Sequence, residues 1–248
     1  MPLTIPARPA LTFEELRDPP RPLFDHLDEL RTRLIRALGG WGLATAAAYG
    51  AFPRLLDLLL RPPVERLAFT SPAEPFFAQV KVSMAVGLLV SFPWLAWQAG
   101  RFVSVGLEPS ERRAVARLVP ASYALFLLGG ALGLFGAGPL GLKFLLSYSG
   151  PRLIPLITID AYLGYVCWLT LGLAFLFQLP IVLYALSWLG LVSADSLRGY
   201  RRHAALALLV AAAALTPGPD IVSQLLVAVP AYVLFELSLV AMRVARRG

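Results

Sequence analysis

Two carboxylates stand among arginines in this chain. Glu29 lies in His26-Leu27-Asp28-Glu29-Leu30-Arg31-Thr32-Arg33-Leu34, and Glu111 in Glu108-Pro109-Ser110-Glu111-Arg112-Arg113. A carboxylate takes a guanidinium through two parallel hydrogen bonds, a fork that a lysine ammonium does not reproduce. When recessed, such a charged hydrogen bond contributes about 1.5–3 kcal/mol, whereas an exposed pair gives at most about 1 kcal/mol. Two recessed carboxylates on one face would receive paired arginines. A plainer reading stands beside each. Glu29 and Arg33 are four residues apart and could pair along one helix, worth about 0.3–0.5 kcal/mol. Glu111 could belong to a solvated loop whose arginines set topology.

A second group is polar and lies within apolar runs: Gln98, Gln178, Thr216, Gln224 and Glu236. Intramembrane polar groups face the protein interior or a partner helix. Helix-to-helix bonding is the simple role of Gln98. Gln178, beside Pro180, could bridge to a polar residue on a partner helix. Glu236 is the only acid deep in an apolar run and could be protonated, paired or near water. Leu215-Thr216-Pro217-Gly218-Pro219-Asp220-Ile221-Val222-Ser223-Gln224 reads as a tight turn with a helix cap. Catalysis finds little support. His26 and His203 both start helices, Cys167 has no histidine in its own run, and no phosphate-binding, dinucleotide or metal-ligand spacing occurs. The chain reads as a non-enzyme without cofactor or metal, and no basic-aromatic patch suggests nucleic acid.

The elements that position these residues are membrane helices. Hydrophobic residues make up 58% of the 248, charged residues 15%, and mean hydropathy is +0.69. A soluble domain is about half apolar and a quarter charged. The apolar runs are about 20 residues long, the length of a membrane-spanning helix rather than a barrel strand. Six spans are expected, over Leu34–Phe52, Phe76–Gly100, Leu118–Gly138, Ala161–Leu191, His203–Thr216 and Ile221–Met242. With both termini on one side, that side receives 16 of the 22 basic residues, which makes the termini cytoplasmic. Residues 1–21 hold five prolines without the apolar core of a signal peptide and read as a retained, mobile cytoplasmic tail. Residues 22–248 form one transmembrane domain. Cys167 is the single cysteine, so no disulfide framework exists.

Local signals set the boundaries. Ser71-Pro72-Ala73-Glu74 reads as a capping box with proline at the first helical position. Asp160 and Asp220 are expected to cap the fourth and sixth spans. The segment 54–73 reads as a short amphipathic piece at the outer interface. Pro93, Pro120, Pro180 and Pro230 each remove a backbone donor inside a span and should bend it, favouring a concave bundle. The fifth span, 14 residues long, covers only about 21 Å of a hydrocarbon layer about 30 Å thick.

Taken together these stretches resemble the TatC family, core subunits of the twin-arginine protein translocase. The resemblance rests on His26 to Leu34, Ser71-Pro72-Ala73-Glu74-Pro75-Phe76-Phe77 with Lys81, Ser91-Phe92-Pro93, Leu107 to Arg113, Phe177-Gln178-Leu179-Pro180, and Leu215 to Gln224 followed by Pro230 and Phe235-Glu236. It covers about 210 residues in family order. The resemblance implies an all-α, concave six-helix membrane protein of the bacterial or archaeal cytoplasmic membrane. It implies recognition of twin-arginine signal peptides on folded export substrates, with Glu29, Glu111 and Arg31 in the signal-peptide site. Thr216 and Gln224 would dock the single-helix partners TatA and, where it is a separate protein, TatB. Self-association and transport driven by the proton-motive force are further implications. The position of Gln178 is commonly glutamate in the family, so glutamine here keeps hydrogen bonding and loses titration. Two other classes compete. A small-solute transporter predicts inverted repeats and midplane charges, and an intramembrane hydrolase predicts a catalytic pair at one depth. The chain has no evident repeat and no such pair.

Overall fold

A computed structural model describes residues 22–60, 64, 66–103, 109–150, 155–216 and 220–247, with side chains throughout except at 22–25, 109–117 and 244–247. The first helix, α1 (Pro22–Gly50), runs unbroken through both the charged start and the apolar run that follows. Its charged first turns were expected to precede a span beginning at Leu34; they are the same helix. Then come α2 (Phe52–Leu59), α3 (Glu74–Val103) and α4 (Pro109–Ala131). A π-helical segment (Leu132–Ala137) joins α4 directly to α5 (Gly138–Leu146). After these lie α6 (Ile159–Leu176), α7 (Leu179–Trp188), α8 (Ala194–Gly199), α9 (Arg201–Leu215) and α10 (Ile221–Arg247). Among the described residues the only β pairing is an isolated bridge between Ala68 and Thr158.

Four stretches are long and apolar enough to cross a membrane: Glu74–Val103, Leu118–Leu146, Ile159–Trp188 and Ile221–Arg243. The surface agrees with that medium. Leu43, Val90, Leu128, Trp168, Val210 and Val240 are all more than half exposed. A water-soluble monomer does not present so much apolar area.

Pairing of α1 with α3 is antiparallel and held by side chains bonding across to backbone. The indole of Trp94 donates to Arg36 O (2.9 Å), that of Trp41 to Met84 O (3.1 Å), and the Gln79 amide to Tyr49 O (3.3 Å). Gly87 permits the approach, since a Cβ there would meet the Thr45 backbone at 2.7 Å. Similarly, a Cβ at Gly133 would meet Thr170 Cα at 2.7 Å. Small residues at helix crossings replace the hydrophobic driving force that lipid cannot supply.

Several expected boundaries shift. The third span does not stop at Gly138; the π segment carries it to Leu146. Gly133, Gly136, Gly138 and Pro139 look like breakers, but in lipid a helix that closes its own hydrogen bonds is favoured over any open turn. Helix α3 starts at Glu74, two residues after the expected proline start, and Ser71 to Ala73 form a turn. Glu74 reaches back to the backbone N–H (3.2 Å) and hydroxyl of Thr70 rather than to Ser71. The cap of α6 is Thr158, whose hydroxyl accepts from Ala161 N at 3.3 Å. Asp160, the expected cap, instead pairs with Lys81 at 2.6 Å. Asp220 does cap α10, accepting from Ser223 N at 2.6 Å.

The prolines divide into two kinds. Pro180 sits in the first turn of α7, immediately after the break at Phe177-Gln178 that splits the fourth apolar run. Pro93, Pro120 and Pro230 lie inside α3, α4 and α10, which continue through them. The expected amphipathic piece 54–73 is α2 followed by a strap. The strap joins α6 through Ala68 N to Ile157 O (3.0 Å) and Ile159 N to Ala68 O (2.8 Å). Tyr162 OH also donates to Leu59 O at 2.7 Å. Leu59, Val64, Ala78, Val82, Leu163 and Val166 form the core beneath it. The expected tail, 1–21, lies outside the described residues.

Candidate functional site

The first turns of α1 meet the last turns of α3. His26 stacks on Phe102 with ring centroids 4.5 Å apart. One helical turn further along, Arg33 Nε (3.2 Å) and Nη2 (3.0 Å) both donate to the same oxygen, Oε1 of Glu29. Arg33 Nη1 donates to Gln98 Oε1 at 3.3 Å. The side chains of Arg33 and Glu29 are 16% and 28% exposed, and Gln98 is 3% exposed. The plain i,i+4 pair therefore forms, but it is recessed and tied to a second helix. Glu29 Oε2 takes no hydrogen bond among the described residues.

Arg31 is exposed, two positions and about 200° around the helix from Glu29. Arg101, in the last turn of α3, lies over the Trp97 ring at 5.9 Å. Glu111 falls in the first turn of α4, where a carboxylate is favoured by the helix dipole. Its side chain, like those of Arg112 and Arg113, lies outside the described residues.

Gln178 and Ser122 bond reciprocally between the α6–α7 break and α4. Ser122 Oγ donates to Gln178 Oε1 (2.5 Å), and Gln178 Nε2 donates to Ser122 O (3.1 Å). The Gln178 amide is thus satisfied within the chain. Ser122 sits two residues beyond Pro120, a position that sequence reasoning passed over. Glu236 is paired: Arg201 Nη2 donates to Oε2 (2.6 Å) and Tyr232 OH to Oε1 (3.1 Å). Gln224 Nε2 donates to Leu209 O at 2.9 Å, bridging α10 to α9. Thr216 is buried, and its hydroxyl donates to Ala212 O at 3.2 Å. Beside Gln224, Ile221, Leu225, Val229 and Val210 stand exposed. Sequence reasoning missed Ser122, Arg201 and the clamping role of Gln98. Only their polarity within or beside an apolar run could have marked them.

An apolar all-α bundle with polar side chains bonded between its helices, and a recessed carboxylate at one end, defines a multi-pass membrane protein. Known sequences carry the assignment further. The family described as Sec-independent protein translocase protein (TatC) matches residues 25–230. The Sec-independent protein translocase protein TatC of Carboxydothermus hydrogenoformans is 34% identical over 227 residues, 90% of this chain and 93% of that one. That of Aquifex aeolicus is 33% identical over 233 residues, 91% of this chain and 96% of that one. Two crystal structures of the twin-arginine translocase receptor TatC share the fold. One, in DDM, gives a TM-score of 0.78 at 31% identity and covers 87% of this chain and 98% of that chain. The other gives 0.73 at 34% identity, covering 89% and 99%. This chain belongs to the TatC family. It is a protein translocase component, not an enzyme.

Proposed function

We propose that this chain is the signal-peptide receptor of a twin-arginine translocase in a bacterial or archaeal cytoplasmic membrane. The observation that carries the proposal is the Glu29 carboxylate, recessed where α1 meets α3, in a chain of this family. A substrate guanidinium there would gain a charged hydrogen bond in a partly desolvated site, worth more than an exposed surface pair. Glu111, at the start of α4, would take the second arginine, and Arg31 would border the site. The crystal structures of similar fold are of twin-arginine translocase receptors, which supports the same reading.

The chain crosses the membrane six times in this proposal, with both termini cytoplasmic. Helix α1 and the 15-residue α9 supply the two spans beyond the four most apolar stretches. The signal peptide enters as a hairpin with its apolar segment along the concave side of the bundle. TatA- and TatB-type helices dock on α9 and α10 near Thr216 and Gln224, supported by the exposed apolar side chains beside Gln224. The receptor self-associates, and the proton-motive force drives passage. Replacing Glu111→Lys in the full chain and measuring crosslinking to a twin-arginine signal peptide tests the receptor reading. Loss of crosslinking with normal membrane insertion is expected. Undiminished crosslinking would remove Glu111 from the site.

A further inference from the structure

We infer that Arg33 is an internal occupant of the receptor carboxylate, holding Glu29 closed until a substrate arginine displaces it. The inference rests on the reading of Glu29 as a signal-peptide group. Two donors of Arg33 converge on Oε1 of Glu29, at 3.0 and 3.2 Å. An incoming guanidinium forms its two-bond fork only with both carboxylate oxygens. It therefore cannot seat fully while Arg33 keeps Oε1. The exchange is guanidinium for guanidinium, so the charge on the carboxylate is balanced before and after.

Gln98 makes the exchange feasible. A charge released from its partner in a partly buried site is strongly unfavourable unless something else accepts it. Gln98 Oε1 already accepts from Arg33 Nη1 at 3.3 Å, and its burial fixes where that oxygen stands. Arg33 can leave Glu29 and remain bonded to α3. The same contact distinguishes this pair from an ordinary surface i,i+4 pair, which has no anchor 65 residues away.

Occupation lowers apparent affinity by the fraction of receptors whose carboxylate is free. Opening the latch should therefore tighten binding, whereas a residue that merely positions Glu29 would weaken it when removed. The test uses the full chain in lipid nanodiscs and a fluorescent signal peptide carrying Arg-Arg. Arg33→Gln removes the occupant, and Gln98→Leu removes the acceptor that keeps Arg33 once it leaves Glu29, without changing any charge. Thermal unfolding of each variant confirms folding, and Gln98→Leu keeps the test open if Arg33→Gln is unstable. The expected result is an affinity raised about two- to five-fold in Arg33→Gln and lowered in Gln98→Leu, where the displaced guanidinium has lost its acceptor. Glu29→Gln should abolish binding.

Loss of binding in Glu29→Gln together with weaker or unchanged binding in Arg33→Gln overturns the occupant and leaves the receptor reading standing. A gain in Arg33→Gln with undiminished binding in Gln98→Leu also overturns it, since simple repulsion between cations would account for that. Unchanged binding in Glu29→Gln removes the receptor reading and the occupant with it.

Discussion

At the residue scale, several polar side chains of this protein bond across to other helices. Gln178 is the clearest case. Both ends of its amide bond to Ser122, 56 residues away. Ser122→Ala should leave the Gln178 carbonyl oxygen without a donor and lower stability by about 0.6–2 kcal/mol, the range for interhelical hydrogen bonds in membranes. Thermal unfolding in detergent measures it. In a double-mutant cycle with Gln178→Ala, the two losses should sum to more than the double variant loses. Additive losses would mean that the pair does not act as a unit. The part of Gln178 in partner binding is a separate proposal. Co-purification of a TatA- or TatB-type protein with Gln178→Ala should fall more than signal-peptide binding does. Sequence order could supply the residue types here but not the pairs. Glu29 with Arg33 was open to reading because helical spacing brings residues four apart together. The pairs Lys81–Asp160 and Arg201–Glu236 join residues 79 and 35 positions apart. Only the packing of helices brings those together.

At the element scale, the apolar periods and turn residues located the helices well and their ends less well. Pro180 was legible as a bend, because its missing N–H shows in the chain itself. The full break at Phe177-Gln178 was not, since Pro93, Pro120 and Pro230 carry the same signal and their helices continue through them. The π segment was not. Its Gly133, Gly136 and Gly138 resemble the end of a helix, and the close approach of α6 that favours glycine at Gly133 is a tertiary fact. Thr158 displaced Asp160 as the cap of α6 for a similar reason: Lys81, on another helix, holds the carboxylate. Close helix contact makes a direct prediction at Gly87. Gly87→Val should force α1 away from α3 and cost about 1–3 kcal/mol, as overpacking does. It should also weaken signal-peptide binding, because the same α1–α3 pairing brings Arg33 to Gln98. A variant that loses stability but binds normally would separate the site from that packing.

At the scale of the whole molecule, the all-α membrane class follows from composition, and the family from combined motifs spread along the chain. Neither needs a long-range contact, which is why both were legible early. Orientation is a different matter, resting on the excess of basic residues that the expected six spans assign to one side in the sequence. Single cysteines in a Cys167→Ala background test it. A cysteine at Leu27 should react with an impermeant maleimide only after the membrane is opened, and one at Tyr148 should react from outside intact cells. The reverse pattern would invert the proposed topology.

The most direct measurement places a photo-crosslinker beside the arginine pair of a signal peptide, with this protein and its partners in native membranes. Arg-Arg and Lys-Lys peptides are compared. The account predicts crosslinks to the first turns of α1 and α4, around Glu29 and Glu111, that disappear with Lys-Lys. Crosslinks indifferent to that substitution, or absent with the protein correctly inserted, would contradict it.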